Sequence, residues 1–354
     1  MVQERHEFAS DNVAPICPEA SAALQKANAH YAPSYGEDRW TARVCDRVRE
    51  IFETDCDVYF VFTGTAANAL ALAQLCKSFQ SVICHPHSHI QTDECGAPEF
   101  FTGGSKLLLV GGADGSPQRV RPMADKIDTG QVEALLARQN ELHSHKLGAI
   151  SITQATEFGT VYTRDEIAAI ADLGRAHQLS LHMDGARFAN AIASLHCASK
   201  AITWEAGVDV LCFGGTKNGA AVGELVIFFN KKISHEFDYR AKQAGQLGSK
   251  MRFLAAQWLG LLTGDAWLRN AQHANRAARE LASRLQKEAG IESVFPVEAN
   301  AVFVSMDERL ASGLHARGWR FNKFIEPDIY RLMCSWSTTG EDILSLLADI
   351  VAIK

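Results

Sequence analysis

Short apolar runs alternate with longer segments of helical spacing over the first two thirds of the chain. The runs are bounded by turn residues, and each is predicted to be a strand: Val58–Phe62, Val82–Cys84, Lys106–Val110, Gly148–Thr153, Leu179–Met183, Val208–Phe213 and Glu224–Phe229. Apolar runs without polar alternation are typical of strands buried on both faces of a parallel sheet. Segments between them, such as Arg39–Phe52 and Val132–Leu142, have helical spacing. The alternation predicts an α/β fold with a mainly parallel sheet and helices on both faces.

The pattern changes after Phe229. Residues 231–253 are rich in charged residues and glycine. A long helical region follows from about Met251 to Gln286, with a break near Thr263-Gly264-Asp265. Beyond it we predict strands at Ala301–Met306 and Ile329–Cys334 and a helix from about Thr339. We therefore predict a large α/β domain over residues 1–250, which includes a polar N-terminal arm. A small α+β domain is predicted over residues 251–354, since the chain exceeds the length of one typical domain.

Composition limits the class of protein. The chain has 354 residues, of which 47% are hydrophobic and 21% charged, so it can bury an ordinary globular core. Its net charge of −6 at pH 7 lacks the basic balance of proteins that bind nucleic acid or anionic membranes. The nine cysteines form no C-x-x-C pair, which favours buried thiols in a reducing compartment. Without a signal-peptide pattern or a membrane-length apolar run, we expect a cytoplasmic protein with no nucleic-acid or membrane partner.

Two strand ends carry the chemistry around which the chain is organised. The run Val208–Phe213 stops at two glycines and then presents Lys217, and the run Leu179–Met183 ends at Asp184. About one βαβ crossover separates the two residues. We therefore expect them at the same edge of neighbouring parallel strands, where open α/β sheets bind ligands. A lysine can hold pyridoxal 5′-phosphate as a Schiff base, while an aspartate pairs with its pyridinium nitrogen. The alternative for Lys217 alone is an ordinary solvated loop lysine.

A candidate anion site follows the first predicted strand of the sheet. Thr63-Gly64-Thr65 opens a helix rich in alanine and leucine. The free N–H groups and the positive dipole at a helix start bind anions such as phosphate. Taken by itself, the segment is explained more simply as an N-cap, in which a threonine hydroxyl accepts a backbone hydrogen bond.

Three histidines at alternate positions, His85, His87 and His89, give a competing interpretation. With acidic residues and a cysteine nearby, they are of the types that bind transition metals, as in a metal-dependent hydrolase. A metal site requires the three rings to converge, and the simpler alternative is a polar loop that uses one histidine. We assign no metal ligand, because the chain has no H-E-x-x-H segment or Cys/His quartet.

Two other residues have open roles at this point. Arg331 lies inside a predicted strand, where it either snorkels from a sheet edge or presents a bidentate fork to a carboxylate. Tyr35 lies in a loop with a second tyrosine, a proline and a glycine. Such a loop is either plain surface or a segment that reaches into a cleft or across a subunit boundary.

Together these segments resemble a known family, the low-specificity threonine aldolases of the β-eliminating lyase group. The resemblance runs from the Ser10-Asp11 arm to Leu332, and its matching segments are Tyr35-Gly36-Glu37-Asp38, Thr63-Gly64-Thr65 with Asn68, His89 with Glu94, His182-Met183-Asp184-Gly185-Ala186-Arg187, Lys217, Gly223, Met251-Arg252 and Tyr330-Arg331-Leu332. It implies a pyridoxal 5′-phosphate enzyme of the aspartate aminotransferase-like fold, fold type I. It also implies a homodimer or homotetramer whose active sites are shared between subunits.

The resemblance implies a role for each matching residue. For the cofactor ring, it implies that Lys217 forms the Schiff base, Asp184 pairs with the pyridinium nitrogen, Arg187 lies near the ring oxygen and His89 stacks on the ring. For the cofactor phosphate, it implies that Gly64 and Thr65 hold the group and that Arg252 or Lys242 of the neighbouring chain reaches it. On the substrate side, Arg331 and Ser10 take the carboxylate, and Tyr35 comes from the partner subunit.

The implied reaction is retro-aldol cleavage of a β-hydroxy-α-amino acid to glycine and an aldehyde, with His89 as the leading base candidate. Many members have a histidine where this chain has Glu157, near the substrate's β-hydroxyl, so Glu157 joins Lys217 and His89 as a candidate catalytic residue. The carboxylate changes the charge of the pocket. We therefore hypothesise a bulkier substrate than threonine or allo-threonine, such as phenylserine. Other reactions of the same cofactor, β-elimination or transamination, and the three-histidine hydrolase are the alternatives.

Overall fold

The computed structural model describes residues 6–111, 126–137 and 142–354. Its strands are β1 (His6–Glu7), β2 (Asp57–Val61), β3 (Gln80–Cys84), β4 (Lys106–Leu109), β5 (Lys146–Thr153), β6 (Ser180–Gly185), β7 (Val210–Phe213), β8 (Glu224–Phe228), β9 (Ala301–Ser305), β10 (Trp319–Arg320), β11 (Asn322–Ile325) and β12 (Ile329–Met333). Each predicted strand is present, with ends that differ by one or two residues.

The helices include all those predicted from the sequence, with described ends that differ by up to three residues. They are α1 (Pro18–Ala27), α2 (Arg39–Phe52), α3 (Gly64–Leu75), α4 (His89–Thr92), α5 (Ala97–Thr102), α6 (Thr129–Ala137), α7 (Arg164–Ala176), α8 (Phe188–Leu195), α9 (Phe237–Gln243), α10 (Arg252–Leu262), α11 (Ala266–Ala289), α12 (Glu308–Ala316) and α13 (Gly340–Ile353). The predicted break between α10 and α11 is confirmed, because Gly264 and Asp265 both have left-handed backbone angles. The end of the helix predicted over 132–142 passes through residues 138–141, which lie outside the described residues.

The large sheet has the strand order β2-β8-β7-β6-β5-β3-β4. Its pairs are parallel except those of β8, which runs antiparallel to both β2 and β7. Successive residues of one strand belong to different hydrophobic clusters: Leu211 lies in the cluster that contains residues of α1, α2 and α10, whereas Cys212 lies in the cluster that contains residues of α3 and α9. The mainly parallel sheet with helices on both faces is thus confirmed, and burial on both faces explains why its strands are continuously apolar.

A second, smaller sheet has the antiparallel order β11-β12-β9. Together with α12, α13 and the second half of α11 it forms its own hydrophobic cluster. Phe8, from the N-terminal arm, lies in the same cluster and stacks on Trp319 with 5.8 Å between ring centroids. The arm that precedes α1 in sequence is therefore held by residues near the other end of the chain.

The predicted domain boundary between residues 250 and 251 stays a prediction. The packing of α10, which lies just after that boundary, is relevant to it. This helix packs against α1 and α2, within the hydrophobic cluster that covers one face of the large sheet. That cluster extends to Ala271, whereas the smaller cluster begins at Ala277 on the same long helix α11.

Two remaining features concern the whole chain. All nine cysteines are free, most of them are buried, and Cys95 is exposed, so the prediction of mostly buried thiols is confirmed. Among the described residues, no helix combines the length and the apolar character needed to cross a membrane.

Candidate active site

The acid and the amine predicted from the strand ends lie at one edge of the large sheet. In the parallel pair β6 and β7, Asp184 is in register with Cys212, and Lys217 follows β7 on a 3₁₀ turn, Thr216–Asn218. A side chain at Gly214 would collide with the Ala186 backbone, so only glycine lets the turn pass so close. The shared edge of neighbouring parallel strands is confirmed, and both side chains line the same cleft.

A hydrogen-bonded row of side chains leads away from Asp184. The amide nitrogen of Asn68 donates to Asp184 Oδ2 at 2.8 Å and to Glu94 Oε1 at 2.8 Å. The same Glu94 oxygen lies 2.9 Å from Nδ1 of His89. This hydrogen bond raises the pKa of His89, while burial raises the pKa of Glu94 against the opposing effect of its hydrogen bonds. The row fixes the orientation of the Asp184 carboxylate and of the His89 ring, both of which face the cleft.

On the other side of the cleft, Arg187 is held by a carboxylate from the N-terminal arm. Its Nε and Nη2 donate to Oδ2 and Oδ1 of Asp11, each at 2.8 Å. Asn300 donates to Oδ2 of the same carboxylate at 3.0 Å. Burial would raise the pKa of Asp11, but the charge and hydrogen bonds of Arg187 outweigh it and hold that pKa below its usual range.

Glu157 lies beside His89 and lines the same cleft. Its Oε1 accepts hydrogen bonds from the backbone N–H of His89 at 2.9 Å and from the Thr153 hydroxyl at 2.9 Å. Burial, with a smaller contribution from the negative charge of Asp184, raises the pKa of Glu157 to about 7. This carboxyl therefore exchanges a proton near neutral pH, unlike an ordinary glutamate.

The surroundings of Lys217 lower the pKa of its amine. Burial is the main cause and the positive charge of Arg187 adds to it, whereas Asp11, Asp184 and Glu224 act in the opposite direction. Glu224 is itself buried and accepts a hydrogen bond from the backbone N–H of Gly215. It thereby holds the turn that presents the lysine.

The start of α3 combines the two functions that the sequence left open. Thr63 is the N-cap, because its hydroxyl accepts a hydrogen bond from the backbone N–H of Ala66 at 3.1 Å. Gly64 and Thr65 occupy the first two helical positions, whose amides have no acceptor within the helix, and both line the cleft. No atom lies within 4 Å of where a Cβ of Gly64 would be, so the site is open to a ligand. The capping is confirmed, and phosphate binding stays a prediction.

Arg331 enters the cleft from β12 of the small sheet. Its guanidinium carbon lies 5.3 Å from the ring centroid of Phe324. Among the described residues no group hydrogen-bonds its buried Nε, and burial lowers its pKa to about 10. A buried guanidinium with an unused donor is suited to an anionic ligand. Ser10 lines the same part of the cleft, where its hydroxyl accepts a hydrogen bond from the backbone N–H of Asn12.

Three predicted site residues lie outside this chain's own cleft. Tyr35 is half exposed, and Nζ of Lys242 lies 4.9 Å from its ring centroid. Arg252 lies against Phe253, with 4.9 Å from its guanidinium carbon to the ring centroid. The structure therefore does not bring Tyr35, Lys242 and Arg252 to Lys217 within one chain, and their roles stay predictions that need a neighbouring subunit.

The three histidines do not form a common site. The rings of His85 and His87 lie 5.8 Å apart and both pack edge-on against Phe158, whereas His89 is bound to Glu94. In residues 6–111, 126–137 and 142–354, no group of three His, Cys, Asp or Glu side chains is arranged to hold a metal ion. The convergence that the metal alternative requires is absent from that part of the chain.

Sequence reasoning missed several residues of the site. Asn68 and Glu94 were noticed only as matching positions, although Asn68 follows Gly64 by about one helical turn and so shares its face. Asp11 adjoins Ser10, but nothing local pointed to Arg187 as its partner. Glu224 and Asn300 carried no signal at all, because their contacts depend on strand order and on the packing of distant segments.

The cleft has two connected lobes of about 360 and 420 Å³, which share His89, Asp184 and Lys217. One lobe reaches the α3 start and the other reaches Arg331. An amine, a buried carboxylate, an open helix start and an imidazole ring around one cavity fit pyridoxal 5′-phosphate, and Arg331 is left for a substrate anion.

Comparison with known proteins identifies the family of this chain. The family model of the β-eliminating lyases matches residues 7–309. The low specificity L-threonine aldolase of Pseudomonas sp. (strain NCIMB 10558) is 51% identical over 353 residues, covering 100% of this chain and 99% of the relative. That of Pseudomonas aeruginosa is 52% identical over 350 residues, covering 99% and 98%. The solved structure of the Leishmania major threonine aldolase superposes with a TM-score of 0.89 at 25% identity and covers 98% of both chains. The chain thus belongs to the β-eliminating lyase family and is a pyridoxal 5′-phosphate-dependent lyase of fold type I.

Proposed function

We propose that this enzyme cleaves β-hydroxy-α-amino acids, threonine among them, into glycine and an aldehyde. The observation that carries the proposal is that Lys217, Asp184 and Arg331 line one cleft, and that the buried Nε of Arg331 lacks a partner among the described residues. The names of the Pseudomonas and Leishmania relatives support threonine as a substrate.

The residues of the cleft divide between cofactor and substrate. Lys217 would bind pyridoxal 5′-phosphate covalently, Asp184 would pair with its ring nitrogen, and Gly64 and Thr65 would hold its phosphate at the start of α3. When bound, the cofactor accepts the electron pair that is released at Cα as the Cα–Cβ bond breaks. Arg187, which also lines the cleft, would lie near the ring oxygen.

The substrate carboxylate would bind at Arg331 and Ser10, which line the same lobe of the cleft. The guanidinium reaches the cleft from the small sheet, and its Nε donor has no partner among the described residues. A charge-assisted pair with a carboxylate would offset the desolvation penalty that lowers its pKa. This contact would orient the amino acid in the lobe that His89 and Glu157 also line.

His89 and Glu157 are the groups that can move the β-hydroxyl proton. If Nδ1 of His89 carries a proton toward Glu94, its Nε2 is an acceptor for the substrate hydroxyl. Glu157 contacts the backbone of His89 and has a pKa of about 7, so it can hold or release a proton at the same place. His89 is therefore the proposed base, and Glu157 is the proposed second proton carrier.

The substrate-side lobe supports a β-substituent larger than a methyl group. Phe324 and His87 line this lobe, whose volume is about 420 Å³. An aromatic substituent would gain contact with both rings. We propose phenylserine as a better substrate than threonine, and the ratio of their kcat/KM values tests it. A clear preference for threonine or allo-threonine would reject it.

The remaining predicted residues are proposed to act across a subunit boundary. Tyr35 and Lys242 contact each other outside the cleft of their own chain, and Arg252 also lies outside it, which suits a homodimer or homotetramer with shared sites. Mixing Lys217→Ala with Arg252→Ala subunits tests this arrangement. Because one hybrid site would keep both residues, activity should appear on mixing; two inactive proteins that stay inactive would refute the shared site.

The absorption spectrum and the products test the proposal as a whole. The purified protein should show a yellow band that borohydride abolishes and that a Lys217→Ala variant lacks. Threonine should yield equal amounts of glycine and acetaldehyde. A yellow protein that releases ammonia and a keto acid instead would point to β-elimination and would overturn the proposed reaction while leaving the cofactor in place.

A further inference from the structure

The N-terminal arm reaches the cleft only after it is anchored elsewhere. Strand β1 pairs in parallel with β10, and the carbonyl of Phe8 accepts a hydrogen bond from the backbone N–H of Met333 at 2.8 Å. Phe8 itself is buried against Trp319. Two residues later the chain turns at Ser10, whose hydroxyl caps a short 3₁₀ turn that begins with Asp11. The position of Asp11 is thus set by the small sheet rather than by the arm alone.

Asp11 joins three separate parts of the chain. Its side chain is 1% exposed and both of its oxygens accept from Arg187, which follows β6. Asn300 precedes β9 and donates to the same carboxylate, and its amide also donates to the Cys334 carbonyl at 2.7 Å. A bidentate pair of this geometry fixes the plane of the guanidinium as well as its position.

The charge of the pair matters because three cationic side chains important for the proposed chemistry meet in one lobe of the cleft, which Asp184 and Glu157 also line. Lys217, Arg187 and Arg331 all line the substrate-side lobe. The charge of Arg187 lowers the pKa of both Lys217 and Arg331, and Asp11 raises both. Without Asp11, the guanidinium of Arg187 would lose its bidentate carboxylate partner beside the reactive amine, and the charges of Glu157 and Asp184 would still act on it.

We propose that Asp11 is a positioning residue of the active site, which clamps Arg187 at the edge of the cleft and balances its charge beside Lys217. The inference rests on the proposed function only in taking this cleft as the site of amino-acid chemistry. Asp11 contacts neither substrate nor cofactor in this assignment; it acts through Arg187.

The charged groups around the amine determine the expected pH behaviour. The charges with the largest effect on Lys217 are those of Arg187, Asp11, Asp184 and Glu224, which come from the arm, from β6 and the turn after it, and from β8. His89 of α4 lines the same cleft and also interacts electrostatically with Lys217. Replacing Asp11 by asparagine removes one negative charge. The nitrogen that joins Lys217 to the cofactor should then lose its proton at a lower pH.

The absorption of the bound cofactor reports that protonation and provides the test. In the holoenzyme Asp11→Asn, we expect the pH midpoint of the spectral change to fall by about one unit. In Arg187→Gln, which leaves Asp11 unpaired, it should rise. In the double variant Asp11→Asn/Arg187→Gln both charges are gone, so the midpoint should return toward that of the natural protein.

The series decides the proposal even if one variant does not fold. If Asp11→Asn fails to fold, the other two variants still test the proposal. The midpoint should rise in Arg187→Gln, and this rise should be reversed in the double variant, in which the pair is neutral and leaves no buried charge. Asp307→Asn is the control, because Asp307 caps α12 away from the cleft and should not move the midpoint. An unchanged midpoint in Asp11→Asn, or a shift that persists in the double variant, would overturn the role of Asp11. Since the spectrum does not depend on which amino acid is cleaved, a wrong substrate assignment would leave this result intact.

Discussion

Replacing Glu157 by glutamine should stabilise the protein, and the gain should depend on pH. The carboxyl has a pKa of about 7 in the folded chain against an ordinary value of 4.5. The folded state therefore binds this proton more tightly than the unfolded state, and folding is favoured at low pH. As the pH rises from 4.5 the unfolded state ionises first, and the penalty is complete once the pH exceeds about 7.

The size of the penalty follows from the same two values. A difference of about 2.5 pKa units, 7 minus 4.5, corresponds to about 3 kcal/mol of folding free energy. Glutamine keeps an oxygen that can accept from the His89 amide and the Thr153 hydroxyl, and it cannot ionise. Glu157→Gln should thus match the natural protein below about pH 5 and exceed its stability above about pH 8, by an amount that approaches 3 kcal/mol.

Chemical denaturation of the holoenzyme across this pH range measures the gain in stability, and kcat/KM for threonine measures the accompanying loss of activity. If Glu157 carries a proton during the reaction, the variant should lose the limb of the pH–rate profile near pH 7. Thr153→Val, which removes one hydrogen bond to the carboxylate without removing the charge, is the matched control and should not abolish that limb. A stability difference that is the same at low and high pH would refute the reasoning.

Three further predictions follow from single contacts. Asn68→Ala removes the amide between the carboxylates of Glu94 and Asp184, so the affinity for the cofactor, measured by fluorescence titration, should fall at least about tenfold. An unchanged affinity would show that Asn68 does not orient Asp184. Arg331→Met should raise KM for the amino acid by about tenfold or more, with a smaller loss of kcat. The melting temperature should not fall, because the Arg331 Nε has no partner among the described residues. An unaltered KM would show that the substrate carboxylate binds elsewhere. Phe8→Ala should lower the unfolding free energy by about 3–5 kcal/mol, since this buried ring stacks on Trp319; a loss below about 1 kcal/mol would show that the arm is not anchored there.

The sequence by itself determined the elements and the edge at which the chemistry lies. Buried strands and amphipathic helices leave periodic patterns, and caps leave short local signals, such as the Thr163 and Glu166 pair that forms a capping box at the start of α7. The placement of Asp184 and Lys217 followed from a topological rule, because consecutive βαβ strands are usually neighbours and run in the same direction. These conclusions need only information that is local or that connects adjacent elements.

Only the tertiary structure decided the rest of the site. A buried antiparallel strand has the same apolar pattern as a parallel one, so the insertion of β8 between β2 and β7 could not be predicted, and with it the position of Glu224. The pairing of Asp11 with Arg187 and Asn300 joins residues that are far apart along the chain. Glu157 was found from the sequence, but the pKa of its carboxyl depends on burial and on the field of Asp184. Pairings and protonation of this kind are set by how distant segments pack, and no local pattern of residues contains that information.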